Sequence, residues 1–267
     1  MAKTRPGKIK IGVGGWTYEP WRGFFYPDGL PQKRELEYAS RQLTSIEING
    51  TYYGAQKPES FARWHAETPD DFIFALKAPR FATNRRVLAE AGESIARFFK
   101  GGVMELKDKL GPINWQFMPT KKFEPADFEA FLKLLPKSID GRALRHVVEV
   151  RHDSFRSQDF IALIKAFGVA AVIAGDGKFP QIADPTAPFV YARIMGTQQD
   201  EKAGYPAAAL DLWARRMQAW SAGKAPEGLD YVGRPAADQA RDVYLYVISG
   251  HKVSNPAAAM ALIARTR

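Results

Sequence analysis

Eight short apolar segments recur along this chain at fairly even spacing, and they are rich in β-branched and aromatic residues. Short segments of this composition are typical of strands rather than helices. The predicted strands are 8–13, 45–49, 72–77, 113–117, 147–151, 169–174, 189–194 and 243–248. Most of them end in a polar or charged residue. The segments therefore predict the fold, and their polar ends predict where a functional site lies.

Helical patterns separate the strands. Apolar residues repeat on one helical face in 36–43, 128–135, 160–164 and 210–220. Alternating strands and helices predict a parallel sheet with helices outside, and eight such units predict closure. We therefore expect an α/β protein with a (β/α)8 TIM-type barrel, because 267 residues also match the roughly 250 that such a barrel needs. A single domain over 1–267 is predicted, with 1–7 as a flexible tail.

Two connections are longer than a barrel requires. Residues 80–111, after the third strand, are predicted to form a basic loop and two helical pieces. Residues 221–241, before the eighth strand, form a connection rich in Gly and Pro. Long connections of this kind often cover a site, so either is a candidate lid.

Composition limits the class of protein and its partners. No apolar run approaches the roughly 18 residues that span a bilayer, and no signal-type segment follows the basic start. The absence of cysteine fits a reducing compartment, so a cytoplasmic protein without a membrane partner is expected. A net charge of +9 favours anionic partners, either small molecules or nucleic acid. Oligomeric state is not readable from the sequence.

The ends of the predicted strands carry the candidate site. Residues two apart share one face of a strand, so Glu47 and Asn49 share a face, as do Glu149 and Arg151. The chemistry of this fold lies where the strands end. The candidate catalytic residues are Glu149, Glu47 and Lys77, and the candidate substrate-binding residues are Asn49, Gln116, Arg151, Arg193, Trp16, Tyr18 and Tyr53. The alternative is a set of structural ion pairs that closes the barrel.

Aromatic residues follow the first two strands. The glycines of 12–15 precede a loop rich in Trp, Tyr and Phe rather than the third glycine and helix of a dinucleotide site. Trp16, Tyr18 and Tyr53 could stack on a base or a sugar ring. Phe24 and Phe25 are expected to pack as a small core at one end of the barrel.

Basic residues also gather after the third strand, at Lys77, Arg80, Arg85 and Arg86. After the last strand, residues 254–256 resemble the start of a helix, whose free N–H groups would suit a phosphate. An ordinary surface helix explains the same residues equally well.

Metal sites receive weaker support. The four histidines, His65, His146, His152 and His251, show no ligand spacing, and His152 is the best acid/base candidate of the four. Glu47, Glu149 and Asp176 could bind a hard metal ion, but the nearby basic side chains would compete with the metal for these carboxylates. No metal and no cofactor are predicted.

Motifs in order along the chain resemble the YecE-like family, also described as domain of unknown function 72. The matching segments are 14–18, 21, 25–27, 47–53, 64, 68–72, 74–77, 109–112, 116, 119 and 149–152. The resemblance implies a barrel fold and brings no established activity with it. Where relatives show histidines, this chain has Asn84 and Met195, and the asparagine pair common after the last strand is absent at 249–250.

Three functions remain open at this point. The first is an enzyme, a hydrolase or lyase, that acts on an anionic, phosphorylated or nucleotide-like small molecule by acid/base chemistry. The second is a protein that binds nucleic acid or a nucleotide without turnover. The third is a structural or partner-binding barrel. Because Asn84 and Met195 replace histidines, a mechanism that uses those histidines is not available to this chain.

Overall fold

A computed structural model describes residues 5–233 and 239–267 of the chain. Its centre is a barrel of parallel strands, as predicted. The strands are β1 (Ile9–Gly14), β2 (Ser45–Ile48), β3 (Ile73–Lys77), β4 (Leu110–Gln116), β5 (His146–Glu149), β6 (Ala170–Gly175), β7 (Phe189–Ile194) and β8 (Asp242–Val247). Each pairs with the next along the chain, and β8 pairs with β1 to close the barrel.

The strand ends differ from the predicted ends by at most three residues, and both ends of β7 match the prediction. β2 ends at Ile48, so Asn49 begins the next helix instead of closing the strand. β5 ends at Glu149, so Arg151 lies beyond it. β4 begins at Leu110, three residues before the predicted start. Pro112 has no N–H to donate but still lies within this strand. Ladder ends of this kind depend on tertiary contacts that the apolar pattern does not encode.

Helices surround the barrel. They are α1 (Glu35–Gln42), α2 (Gly50–Tyr53), α3 (Pro58–Glu67), α4 (Arg80–Thr83), α5 (Gly92–Lys100), α6 (Pro125–Leu134), α7 (Gln158–Ala166), α8 (Ala207–Ser221) and α9 (Asn255–Thr266). The four predicted helical patterns are confirmed in α1, α6, α7 and α8. The sequence reading missed a short hairpin, Ser138–Ile139 paired with Arg142–Ala143, because two-residue strands show no alternation.

Side chains alternate between two layers along each strand. Ile46 and Ile48 of β2 face outward and belong to the apolar layer under the helices. Ser45 and Glu47 occupy the alternate positions, and neither side chain is exposed to solvent. Gly12 of β1 faces Ser45, and a Cβ atom at Gly12 would lie 1.8 Å from the Ser45 carbonyl oxygen. Glycine is therefore the residue that permits this close approach.

The long connection after β3 contains more helix than the two predicted pieces. Besides α4 and α5, it holds 3-10 helices at Leu88–Ala91 and Val103–Lys109. The second long connection includes residues 234–238, which lie outside the described residues, as do residues 1–4 of the predicted tail. Gly7 is held to α8 by hydrogen bonds with Ser221. In the described part of the chain, no helix combines the length and apolarity that crossing a bilayer requires.

Candidate functional site

Arg193 joins two carboxylates inside the barrel. Its Nη2 donates to Glu47 Oε1 at 2.8 Å, and its Nη1 donates to Glu149 Oε2 at 2.6 Å. The three side chains come from β7, β2 and β5, and each is at most 4% exposed. A buried cation shared by two carboxylates avoids the cost of an isolated buried charge. Arg193 therefore links the carboxylates of β2 and β5 across the interior of the barrel.

Each carboxylate has further donors. Glu149 Oε1 accepts from Arg151 Nε at 2.9 Å, and Glu149 Oε2 also accepts from Asn114 Nδ2 at 3.0 Å. Glu47 Oε2 accepts from the Tyr191 hydroxyl at 2.5 Å. Both oxygens of both carboxylates are therefore occupied. The arrangement matches the ion-pair alternative that the sequence left open for these side chains.

The charges around Glu149 decide its ionisation. Burial by itself raises the pKa of Glu149, but Arg193, Arg151 and Lys77 outweigh burial and lower this pKa to about 2. Burial likewise lowers the pKa of Arg193, whereas Glu149 and Glu47 raise it above its ordinary value. Both groups are charged at neutral pH, so the pair holds an ionised carboxylate rather than a proton donor.

Lys77 is the exception in this network. Lys77 is the last residue of β3 and is 8% exposed. Its Nζ lies 4.7 Å from the centre of the Tyr52 ring. Nζ donates no hydrogen bond to any described residue and retains some exposure to solvent. Burial and the charge of Arg193 lower the pKa of Lys77 from 10.5 to about 8, against the opposing effect of Glu47 and Glu149. The amine is thus close to half neutral near pH 8.

Two more polar atoms inside the barrel lack partners within the described residues. They are Asn114 Oδ1, an acceptor, and Arg193 Nε, a donor. Asn114 lies opposite Lys77 in the β3–β4 ladder. Buried polar groups are nearly always hydrogen-bonded, so such atoms in one region are expected where a ligand or water binds. Together with Lys77 Nζ they provide two donors and one acceptor.

The mouth is extended by residues beyond the strands. Gln116 Oε1 accepts from Arg151 Nη2 at 2.8 Å. The guanidinium of Arg151 stacks on the ring of Phe179 at 4.1 Å, and its side chain is 17% exposed. Phe179 comes from the connection after β6, so this connection covers one side of Arg151.

Six of the predicted site residues therefore meet in one network, namely Glu47, Lys77, Gln116, Glu149, Arg151 and Arg193. The sequence reading missed Asn114 and Tyr191. Asn114 stands two residues before Gln116, and Tyr191 stands two residues before Arg193, so strand alternation could have found both. Tyr52 and Tyr53 after β2 were both considered for stacking, but only Tyr53 was named as a site residue, whereas Tyr52 is the one that contacts Lys77.

The other predicted residues lie outside the network. Asn49 precedes α2, and its Nδ2 would lie 2.7 Å from a Cβ atom placed on Gly14. Trp16 packs edge-on against Trp64 at 5.1 Å. Tyr18 lies under Lys252 Nζ at 4.0 Å, and Tyr53 is 66% exposed and packs against Tyr52.

The aromatic loop after β1 is only partly as expected. Phe25 is buried and packs against Trp21, Tyr26 and the Tyr38 ring of α1, which forms a small core between loop and helix. Phe24 is 81% exposed, so its predicted core position is wrong. Adjacent residues at a turn point in different directions, and only one of them reached the helix.

The basic residues after β3 make different contacts. Arg80 stacks on the Phe81 ring at 5.4 Å, whereas Arg85 donates to the Phe81 carbonyl oxygen and to Ser94. At α9, the Ser254 hydroxyl is within 2.9 Å of His251 Nδ1 and does not cap the helix. Arg80 and Arg85 are thus held by contacts within the protein, whereas Ser254 gives the start of α9 no side-chain cap.

Asp176 lies apart from the two glutamates. It has a left-handed backbone with φ of 57° and accepts from Trp213 Nε1 at 3.1 Å. Among residues 5–233 and 239–267, no group of three His, Cys, Asp or Glu side chains is placed to hold a metal ion. His152 Nδ1 accepts from the Ser154 backbone N–H, as alternation away from the Glu149 face predicts.

The two positions that depart from the YecE-like pattern do not enter the network. Asn84 follows α4 and is exposed. Met195 follows β7 and packs against the apolar interior of the barrel, close to Gly177. A methionine at this place contributes apolar contact and no titratable group.

Comparison with known proteins places the chain in a family. The family model described as protein of unknown function DUF72 matches residues 10–267. The protein YecE of Escherichia coli K12 is 29% identical over 147 residues, which are 55% of this chain and 50% of YecE. The chain thus aligns with about half the length of this curated relative.

Solved structures agree on the fold. A DUF72 family protein from Thermotoga maritima superposes with a TM-score of 0.71 at 21% identity, covering 96% of this chain and 97% of that one. A DUF72 family protein from Enterococcus faecalis gives 0.68 at 16% identity, with 97% of each chain covered. A xylose isomerase-like TIM barrel fused to a 4-hydroxyphenylpyruvate dioxygenase gives 0.52 at 13% identity and covers 98% and 44% of the chains. This chain belongs to the DUF72 family, whose function is unknown.

Proposed function

We propose that the carboxyl-terminal mouth of the barrel is an active site for an anionic small molecule, and that Lys77 transfers a proton there. The observation that carries the proposal is the buried Lys77 amine, which has no acceptor among the described residues and a pKa lowered to about 8. A group whose pKa lies near the working pH is suited to general acid/base catalysis. The substrate class is a phosphorylated or nucleotide-like anion.

The charge of the network supports an anionic ligand. Lys77, Arg151 and Arg193 face two carboxylates, Glu47 and Glu149, which leaves a net charge of +1 when Lys77 is protonated and zero when it is neutral. Arg151 uses Nε and Nη2 for Glu149 and Gln116, so Nη1 is available to a ligand within the described structure. Fixed cations at a water-restricted mouth stabilise negative charge more strongly than mobile surface cations do.

The two carboxylates take a different role in this proposal. Their oxygens are already occupied, and the pKa of Glu149 is lowered to about 2, so Glu149 is a weak base at neutral pH. We assign Glu47 and Glu149 to positioning Arg151 and Arg193. Neutral Lys77 accepts a proton from the bound substrate and returns it as the ammonium form, while Asn114 Oδ1 accepts a hydrogen bond from a substrate hydroxyl.

A substrate panel with matched lysine variants tests the proposal. Phosphate esters, glycosides and nucleotides are offered to the wild type, to Lys77→Met and to Lys10→Met. Lys10 is also buried but lies at the opposite end of the barrel and contacts Asp71. Loss of at least roughly 100-fold in turnover with Lys77→Met, and little change with Lys10→Met, is expected for a general base. Equal turnover in both variants would remove Lys77 from the mechanism.

Binding without turnover is a second candidate, and the net charge of +9 and the exposed ring of Tyr53 favour it. It predicts that single-stranded oligonucleotides bind with an affinity that falls steeply as salt is raised. Titration of a labelled oligonucleotide at two salt concentrations separates the candidates. Tight, salt-dependent binding without turnover of any panel member would favour the binding protein.

A further inference from the structure

A cavity of about 400 Å³ lies beside the barrel mouth, behind helix α2. Thr51 and Gly54 line it, whereas Tyr52 between them contacts Lys77. Pro79, just after β3, forms another part of the wall. The same short helix therefore separates the cavity from the network around Lys77. A volume of this size is within the range of small-molecule sites.

The walls of the cavity are largely aromatic and aliphatic. Phe61 of α3 is buried at its base, Phe98 of α5 is partly buried, and Val103 follows α5. Phe81 of α4 also lines the cavity, although 60% of it is exposed. An apolar group bound here would remove the exposed parts of Phe81 and Phe98 from water, which favours binding.

One cation is held at the edge of these apolar walls. Arg85 Nε donates to the Phe81 carbonyl oxygen at 2.7 Å, and its Nη2 donates to Ser94 Oγ at 2.8 Å. Within the described residues, Nη1 has no hydrogen-bond partner. The other charges in the lining, Arg97 and Glu93, pair with each other at 2.5 Å. The cavity therefore presents one fixed positive charge that is not neutralised.

A fixed guanidinium beside an apolar pocket is complementary to a carboxylate with an apolar body. We propose that this cavity binds a small aromatic or aliphatic carboxylate, with its body against Phe61 and Phe98 and its carboxylate on Arg85. The site is distinct from the mouth and does not depend on the proposed role of Lys77. The ligand is either a free effector or a molecule that another protein delivers to this cavity. In both cases it is a carboxylate with an apolar body.

The neighbouring residue offers a matched control. Arg86 is exposed, does not line the cavity, and contacts Lys121 through its backbone carbonyl oxygen. Arg85→Leu and Arg86→Leu remove the same charge from adjacent positions of one loop. A general effect of net charge on anion binding would therefore appear in both variants, whereas a specific site would respond to one.

Isothermal titration with 4-phenylbutyrate and 4-phenylbutylamine tests the proposal, because the two probes share an apolar body and differ in charge. We expect one molecule of the acid per chain, with the amine at least roughly tenfold weaker. Arg85→Leu should weaken the acid by roughly tenfold, whereas Arg86→Leu and Lys77→Met should change its affinity by less than about twofold.

Three results would overturn the proposal. Equal affinity for the acid and the amine would show that charge does not select the ligand. An equal loss in Arg85→Leu and Arg86→Leu would assign the effect to net charge. Loss of binding in Lys77→Met would place the probe at the barrel mouth. The comparison of the two probes on the wild type stands even if Arg85→Leu does not fold.

Discussion

At the amino-terminal end of the barrel, buried lysines are fully engaged, whereas at the carboxyl-terminal end one is not. Lys109 Nζ donates to the carbonyl oxygens of His65 at 2.6 Å and Thr68 at 2.7 Å, and Lys10 Nζ contacts Asp71. Lys77 Nζ has a Tyr52 ring beside it and no acceptor among the described residues. The same residue type therefore joins loops at one end and is left for a ligand at the other.

Two further polar sites show the same difference, although Arg241 Nε, just before β8 at the amino-terminal end, also lacks a partner among the described residues. His146, at the start of β5, donates from Nε2 to the Pro136 carbonyl oxygen at 2.8 Å and accepts from Trp115 Nε1 at 3.1 Å. At the other end, Asn114 Oδ1 and Arg193 Nε lack partners in the part of the chain that is described. Satisfied polar groups stabilise a fold, whereas unsatisfied ones are retained at a cost in stability.

The largest expected effect is on the ion pairs at the carboxyl-terminal end. Arg193→Met leaves Glu47 and Glu149 buried without their shared cation, which should lower the free energy of unfolding by about 3–5 kcal/mol. Urea unfolding at pH 7 measures it. The exposed pair of Arg34 and Glu37 is the control, since solvent screens this pair and Arg34→Met should cost far less than Arg193→Met. Equal costs would mean that the buried network contributes no special stability.

The second effect concerns His146 at the amino-terminal end. Burial lowers the pKa of His146 to about 4, against about 6.5 in an unfolded chain. The unfolded state therefore binds more protons between these values, and the free energy of unfolding should fall by about 3 kcal/mol as the pH decreases from 6.5 to 4. Urea unfolding across this range measures the loss. His146→Gln, which does not titrate, should remove most of it, and an unchanged slope would contradict the assignment.

A smaller effect is expected at Lys109. Lys109→Met leaves the His65 and Thr68 carbonyl oxygens without their buried donor, which should cost about 2 kcal/mol. Thermal and urea unfolding of this variant report the loss. An unchanged free energy of unfolding would contradict the comparison, because it would show that a buried lysine at the amino-terminal end of the barrel adds no more stability than Lys77.

The smallest loss of stability is expected at Lys77. Its charge is largely buried without an acceptor among the described residues, so Lys77→Met should not lower the free energy of unfolding at pH 7. In the wild type the unfolded amine binds more protons between pH 8 and 10.5, so Lys77 makes stability rise with pH there. Loss of this rise in Lys77→Met, measured by urea unfolding, checks the sign. A large destabilisation would assign Lys77 to structure instead of ligand binding.

Most of the fold was predictable from local pattern. Short apolar segments rich in β-branched and aromatic residues located all eight barrel strands, and 3.6-residue periodicity located α1, α6, α7 and α8. Alternation predicted which strand-end residues share a face, and in the structure Glu47, Glu149 and Arg193 meet inside the barrel. The short α2 and α4 and the two-residue strands of the hairpin were not predicted, because they contain too few residues to show a period.

The composition of the site was less predictable. Trp16 and Tyr18 were predicted to be site residues because they follow β1. In the structure the Trp16 ring packs against Trp64, and the Tyr18 ring lies under the Lys252 amine. Tyr52 and Phe179 contact Lys77 and Arg151 from a helix and a connection. The direction of a side chain on a loop depends on the path of the whole loop, which no periodicity describes.

The sequence by itself determined the barrel, the inward placement of charged residues at its strand ends, and the excess of positive charge. Only the tertiary structure decided which charges neutralise each other. Glu47 and Arg193 are separated by 146 residues in the chain and meet at 2.8 Å across the barrel. Hydrogen bonds require a short distance and a suitable direction, which barrel closure and strand register set in three dimensions. For that reason the sequence could name Glu47, Glu149 and Lys77 as catalytic candidates and Arg151 and Arg193 as binding candidates, but not which of these charges pair with each other in the fold.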